Sequence, residues 1–396
     1  MFNLISTPNG ISDVEGFFCG ATNVGMRPDP NQGDMAFIRS NTPCDVTALF
    51  TSNRFQASPI VHFKRYEEGF QTNFLLMNAK NANAMTGEAG VEDIDTLLEA
   101  LSKKITLLNP IMSSTGVIGY RLPVEKMKKG FEQFNFQAKD SQATARAIMT
   151  TDSFEKSLSY RVELPSGEYF HIAGICKGAG MINPSMATML CFIVTDANIP
   201  KEDMKPLLQE ATEGSFNRIS VDGDTSTNDT VMLLSNHARS SYDKEAFSKV
   251  LKEMLFDFAM MILRDGEGSN KVVAFEVKGA KTQEEAQRAS MALSNSLLVK
   301  TALFGEDPNW GRIASTIGAS GIACDPEKLS IYYDDLCIYS ATQRELDAQR
   351  EAQANAIMKQ AEFTVTCHLG MGDSSYTSYG CDLSYEYVKI NAEYRT

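Results

Sequence analysis

Histidine and tryptophan are scarce in this chain, with four and one in 396 residues, and the scarcity closes off several chemistries. His62, His171, His237 and His368 are far apart in sequence, none is spaced as a metal pair, and no G-x-S-x-G elbow is present. Each histidine is therefore expected to be structural, and no metal is expected. Long basic runs are missing too. The formal charge of -13 argues against a nucleic-acid partner, because phosphate binding needs a basic face. The nearest basic cluster, Lys126, Lys128 and Lys129, has Glu125 and Glu132 beside it and reads as a solvated helix face. No stretch approaches the roughly 20 apolar residues of a spanning helix. The first residues, Met1 to Ser6, carry neither a charged n-region nor a long apolar one, so a cytoplasmic protein without a membrane partner is expected. The eight cysteines, Cys19, Cys44, Cys176, Cys191, Cys324, Cys337, Cys367 and Cys381, include no C-x-x-C pair and read as small buried hydrophobes.

What is present is ordinary for a globular chain, with 43% hydrophobic and 22% charged residues and length enough for two or three domains. Short apolar runs at 36–38, 46–50, 60–63 and 73–77, separated by Asn, Asp, Pro and Gly, read as strands. Ile94, Leu97, Leu98, Leu101, Ile105 and Leu108 recur at helical steps before Pro110. A small-residue loop at 112–116 and a helix over 123–134 follow, then a hairpin of 160–164 with 169–175. Pro206 is tolerated only in a first turn, which puts the start of the next helix near Asp203. Phe247 to Ile262 carries the clearest amphipathic stripe, stopping at Gly266. Thr282 and Glu285 form a capping box for a helix reaching Leu297 and Leu298. A helix over 343–360 and strands at 363–368 and 383–390 complete the chain. Mixed order and half-buried alternation predict an α/β or α+β fold of layered sheets and helices.

Two motif-like runs fail on inspection. Asp222-Gly223-Asp224-Thr225-Ser226 opens like a calcium loop but has Thr227 and Leu233 where a glycine and a glutamate belong. It reads as a turn whose side chains tie down their own backbone. Gly266-Glu267-Gly268-Ser269-Asn270-Lys271 lacks P-loop spacing. The distinctive stretch is Lys177-Gly178-Ala179-Gly180-Met181-Ile182-Asn183-Pro184-Ser185-Met186-Ala187-Thr188, which runs into apolar Met189 to Val194. Its glycines allow close backbone approach, and Thr188 stands where a loop enters a rigid element. A threonine there can attack the carbonyl before it, and the α-amine released, with a pKa of about 7.7–8.0, can serve as its base. The residues alone leave a plainer possibility open, a glycine turn leading into a core strand.

Taken with Asn81-Ala82-Asn83-Ala84, Ser114 to Gly119, Asp222 to Asp229, Arg264 to Gly268, Asp307 to Arg312 and Asn391 to Thr396, this stretch resembles the ornithine acetyltransferase family, the bifunctional glutamate N-acetyltransferases of arginine biosynthesis. The blocks follow the family's order along nearly the full length. The resemblance implies a helix-sheet-sheet-helix layering of the self-cleaving ornithine acetyltransferase and aminopeptidase type, with each half of the cut chain contributing to both sheets. It implies autoproteolysis between Ala187 and Thr188 into chains 1–187 and 188–396 that interleave, two of each in the assembly. It implies acetyl transfer from N-acetylornithine to glutamate through Thr188 without a cofactor, the oxyanion being met by Thr115 and Gly116. Thr151, Lys177, Thr188, Glu267, Asn391 and Thr396 are the implied substrate contacts, with Thr150 nearly as good as Thr151. Some members also use acetyl-CoA, and the sequence leaves that open here.

Departures from the family pattern are Lys80, Ala179, Ser185 and Ser269-Asn270, none at an implied catalytic group. Two rival expectations remain: a self-cleaving aminopeptidase or amidohydrolase that passes the acyl group to water, and an uncut amino-acid-binding protein. A single full-length species in denaturing mass spectrometry favours the second.

Overall fold

The computed structural model describes residues 2–183 and 189–393. Sequence expectations for Ala187, Thr188 and Thr396 fall outside them. Among the described residues the strands are β1 (Asn3–Ser6), β2 (Phe17–Thr22), β3 (Met35–Phe50), β4 (Gln71–Asn78), β5 (Ile111–Ser114), β6 (Lys156–Glu163), β7 (Tyr169–Lys177), β8 (Leu190–Thr195), β9 (Ile219–Ser220), β10 (Thr230–Ser235), β11 (Val272–Ala280), β12 (Ser330–Tyr333), β13 (Leu336–Ser340), β14 (Glu362–His368) and β15 (Ser374–Cys381). The α-helices are α1 (Ser58–Phe63), α2 (Gly87–Ser102), α3 (Val124–Gly130), α4 (Ser141–Ala147), α5 (Lys201–Glu213), α6 (Lys244–Arg264), α7 (Gln283–Asn295), α8 (Leu297–Phe304), α9 (Trp310–Ala319), α10 (Ala348–Met358) and α11 (Tyr385–Glu393).

The larger sheet runs β1-β6-β7-β8-β10-β3-β4-β5, with β2 also on β3, and the smaller runs β13-β12-β14-β11-β15-β9. β3 divides the larger sheet into two leaves. Its first half, Met35 to Arg39, pairs with β2 and β4, its second half pairs with β10, and the register against β4 shifts between Arg39 and Cys44. Period-2 alternation then sorts the side chains. Ala36, Ile38, Leu75 and Met77 of one leaf share a core with Phe192, Val194, Met232 and Leu234 of the other. Phe37, Phe74 and Leu76 face Ile94 and Leu97 of α2 and Met127 of α3. Cys191, Ile193, Val231 and Leu233 face Leu208 of α5 and Phe258 of α6. The order is helix, sheet, sheet, helix, as expected. Strands from both sides of residues 184–188 meet in the larger sheet, whereas the smaller sheet draws only on residues after 188.

Several local expectations change. The run at 60–63 is helical, because Pro59 suits a helix's first turn and an apolar run of four cannot separate strand from helix. The 112–116 loop is strand as far as Ser114, paired in parallel with β4 from Leu75 to Asn78. The helix at 94 starts earlier, at Gly87, and ends at Ser102, leaving Ile105 and Leu108 beyond it. The expected spans 123–134 and 343–360 shorten to α3 and α10. α5 begins at Lys201, so Pro206 stands in its second turn, on the exposed face, where the Glu202 carbonyl it leaves unpaired can reach water. The helix from Thr282 breaks at Ser296, which turns extended and accepts from the Val299 N–H to start α8, so Leu297 and Leu298 are exposed. The expected strand 383–390 is α11; the last strand is β15, whose Ser/Tyr alternation carries little apolar signal.

Candidate functional site

The ends of β5 and β7, the 222–228 loop, the turn after α6 and α11 enclose a cavity of about 190 Å³ whose lining includes Thr115, Gly116, Thr151, Lys177, Glu267 and Asn391. Thr150 lines it as well. Thr188 and Thr396 are outside the described residues, so the structure brings together every other residue expected to bind or catalyse.

One wall is built by backbone crowding. Gly116 has φ +132°, and a Cβ there would come within 2.3 Å of the Lys80 carbonyl carbon and 2.5 Å of the Asn81 nitrogen, so only glycine fits. Thr115 next to it donates its N–H to the Asn78 carbonyl at 3.0 Å. Asn228, buried, donates from Nδ2 to the carbonyls of Ala82 at 2.7 Å and Ser114 at 2.8 Å. It thereby ties the Asn81 turn to the strand that delivers Thr115.

Lys177 ends β7 and is buried, its Nζ donating to Thr115 Oγ1 at 3.2 Å and Thr150 Oγ1 at 3.0 Å. Burial pushes its ammonium below the usual lysine range, Asp152 and Asp229 opposing that and Lys156 adding to it. Asp152 accepts from the Gly178 N–H at 2.7 Å, the Thr150 N–H at 3.0 Å and Lys156 Nζ at 2.9 Å. Burial alone would raise this carboxyl; the Lys156 and Lys177 ammoniums and the Thr150 amide bring it down to about 2. Lys156 also pairs with buried Asp265, which accepts from the Ser153 N–H at 3.0 Å.

The opposite wall is acidic. Glu267 Oε2 accepts from Asn391 Nδ2 at 2.7 Å, and the Glu267 N–H donates to the Ala179 carbonyl at 2.9 Å. A Cβ on Gly180 would lie 2.4 Å from Glu267 Cδ, so the glycine lets the carboxylate pack against the turn. Asp222 accepts from the N–H groups of Met181 at 2.5 Å, Ile182 at 3.0 Å and Asp224 at 3.1 Å. Burial raises it, its amide bonds oppose that, and the charges of Asp224 and Glu267 help to push it up to about 6. Tyr387 on α11 lies against Asp222 and Glu267; burial first, then those charges, raise its hydroxyl.

Sequence reasoning passed over Asp152, Asn228, Asp229 and Tyr387. Asp229 is fully buried, takes the Met189 N–H at 3.0 Å on Oδ1, and has no hydrogen-bond partner on Oδ2 among the described residues. The Thr51 hydroxyl near it donates to the Ser226 carbonyl at 2.7 Å. The Asn-Asp pair at 228–229 was visible as part of a family block, but its separate tasks were not. Tyr387 was hidden because its segment was read as strand. Among the described residues no group of three His, Cys, Asp or Glu could hold a metal ion, and no helix is long and apolar enough to cross a membrane.

The sequence matches the ArgJ family over residues 18–396. The arginine biosynthesis bifunctional protein ArgJ of Wolinella succinogenes is 52% identical over 397 residues, covering 100% of both chains. Its counterpart in Geobacter sulfurreducens is 39% identical over 396 residues, 97% of this chain and 100% of the relative. A crystal structure of the arginine biosynthesis bifunctional protein ArgJ from Bacillus halodurans is 36% identical and covers 51% of this chain and 98% of that one, with a TM-score of 0.47.

Proposed function

The chain belongs to the ArgJ family, and we propose that it moves acetyl from N-acetylornithine to glutamate through an acetyl-threonine on Thr188. The observation that carries this reading is the contact of Lys177 with Thr115, 3.2 Å from Nζ to Oγ1, beside Gly116 and across the cavity from Glu267. Because that hydroxyl oxygen accepts from the ammonium, its own hydrogen is free to donate.

In the proposed maturation, the Thr188 hydroxyl adds to the Ala187 carbonyl, the C–N bond breaks, and the nitrogen leaves with a proton. Water then cleaves the ester, giving chains 1–187 and 188–396. The new α-amine takes the Thr188 hydroxyl proton as the oxygen attacks the acetyl carbonyl of N-acetylornithine. The oxyanion is met by the Thr115 hydroxyl and the Gly116 N–H, donors of a kind worth roughly 3–4 kcal/mol each. Collapse returns that proton to the departing ornithine nitrogen, and glutamate runs the steps in reverse to collect the acetyl group. Lys177, as a nearby cation, would hold the α-amine unprotonated at lower pH. Glu267 with Asn391, Thr151 or Thr150, and Thr396 would hold the substrate's charged ends.

Two copies of each chain make up the proposed assembly, and the cytoplasm is its proposed compartment. The curated relatives are called bifunctional, and an assay with acetyl-CoA and glutamate alone tests for a second acetylation here. Denaturing mass spectrometry of active enzyme should give two fragments, the second beginning Thr-Met-Leu-Cys. Thr188→Ala should give one full-length species and no transfer. An active enzyme with an unbroken chain would overturn the mechanism.

A further inference from the structure

We propose that Asp222 lets one side-chain subsite hold a cationic and an anionic substrate in turn, ionised opposite the donor's ammonium and protonated opposite the acceptor's carboxylate. This rests on the donor and acceptor assigned above. Both molecules carry an α-carboxylate and an α-nitrogen that must meet the same nucleophile, so they differ only at the far end of the side chain. A cavity of about 190 Å³ gives those two ends one place to go.

That place is the acidic wall. The carboxylates acting on Lys177 are Asp152 and Asp229, whereas those acting on Asp222 are Asp224 and Glu267. Lys177 is bound to Thr115 and Thr150, whereas Asp222 is bound to the Met181, Ile182 and Asp224 amides, so the cation and the acidic cluster line different parts of the cavity and the α-carboxylate belongs with the cation. An ammonium suits three carboxylates well. A second substrate ending in a carboxylate meets repulsion there unless one wall group gives up its charge.

Asp222 is built to do so. Three backbone N–H groups, from Met181, Ile182 and Asp224, hold the carboxyl in position whether or not it carries a proton. The charged and titratable groups facing it are Asp224 from its own loop, Glu267 from the turn after α6, and the Tyr387 hydroxyl from α11; the Met181-Ile182 turn brings none. Burial, with the charges of Asp224 and Glu267, disfavours its ionised form, the amide donors and the Tyr387 hydroxyl oppose this, and the balance pushes it up to about 6, within reach of neutral pH. Glu267 beside it accepts from the Asn391 amide at 2.7 Å. Protonated, Asp222 becomes a hydrogen-bond donor toward the acceptor's carboxylate; ionised, it accepts from the donor's ammonium. The proton comes from solvent when glutamate binds and returns to it afterwards.

Calorimetry on the wild-type enzyme, titrating glutamate and ornithine separately in phosphate and in Tris at about pH 7, reads this directly as buffer-dependent heat. Glutamate should take up close to one proton per site and ornithine none, or release a fraction. Equal heats in both buffers for glutamate, or uptake of the same size for both ligands, would overturn the proposal. Asp222→Asn, neutral at every pH, should raise KM for N-acetylornithine by about tenfold or more while that for glutamate stays within about threefold. Parallel changes in both KM values, or none, would also overturn it, and if the variant does not fold the calorimetry decides. Failure of the wild-type enzyme to transfer acetyl between the two substrates would instead sink the functional reading itself.

Discussion

Lys156→Met tests whether the ion triad beneath the site holds that wall together. The Lys156 ammonium is fully buried between Asp152 and Asp265, themselves 0% and 1% exposed, so no water replaces it when it is removed. Removing one partner of a buried pair costs about 3–5 kcal/mol, because the surviving charge is stranded. An independent figure comes from Asp152, whose fall from 3.8 to about 2 corresponds to about 2–3 kcal/mol of stability at neutral pH. A depressed carboxyl contributes above its unfolded value and loses that contribution as pH falls through its folded one. The wild type should therefore lose stability between about pH 4 and pH 2. For a chain of this size the variant should melt roughly 3–6 °C lower at about pH 7, with the gap narrowing below about pH 4 as the wild type loses the same interaction. Differential scanning calorimetry at a series of pH values measures both. A drop under about 2 °C at neutral pH, or a gap that does not change with pH, would refute the reasoning.

Gly180→Ala drives a Cβ to 2.4–2.5 Å from the Glu267 carboxylate and should displace it from Asn391. Losing a charge-assisted hydrogen bond of about 1.5–3 kcal/mol should raise KM for N-acetylornithine about 10- to 100-fold, in steady-state kinetics, with the melting temperature little changed. Asn228→Ala strands the buried Ala82 and Ser114 carbonyls, which should lower stability by about 1–3 kcal/mol and lower kcat by loosening Thr115; urea unfolding and kcat measured together check it.

Legibility from sequence was uneven for physical reasons. The layered class was readable because alternation in β14, where Phe363, Val365 and Cys367 are buried between more exposed neighbours, and the α6 stripe from Phe247 to Ile262 record what each face touches. The bend that makes two leaves from one strand was not, since Asn41 and Pro43 between Arg39 and Cys44 read as a break between two strands, whereas β3 runs through them and only shifts its register. Short elements misled wherever local signal was thin, as at Ile60 to Phe63 and at Tyr385 to Glu393, where the helix buries no residue. Of the site, the family blocks located the cavity-lining residues, but Asp152 carries no motif. Its importance comes from Lys156 and Lys177 converging on it, which only tertiary structure reveals.

The segment proposed to be cut is bounded by amides held on carboxyl groups. Asp152 takes the Gly178 N–H, Asp222 those of Met181 and Ile182, and Asp229 that of Met189. The three differ sharply in acidity although each accepts from the backbone: Asp152 is held down, while Asp222 and Asp229 are raised. What separates them is the company of cations. Asp152 has Lys156 at 2.9 Å and Lys177 in range, Asp229 has Lys177 without a direct bond, and Asp222 is set among other carboxylates. Amide donors therefore fix where each carboxyl sits, and the lysines decide which of them stays charged. The cation-bearing side suits anion and oxyanion work, and the other side keeps a carboxyl able to change its protonation. Moving a positive charge across the cavity, as in Ser226→Lys on the loop beside Asp222, should lower the Asp222 titration and abolish proton uptake with glutamate. Unchanged uptake in that variant would mean that the proton goes elsewhere.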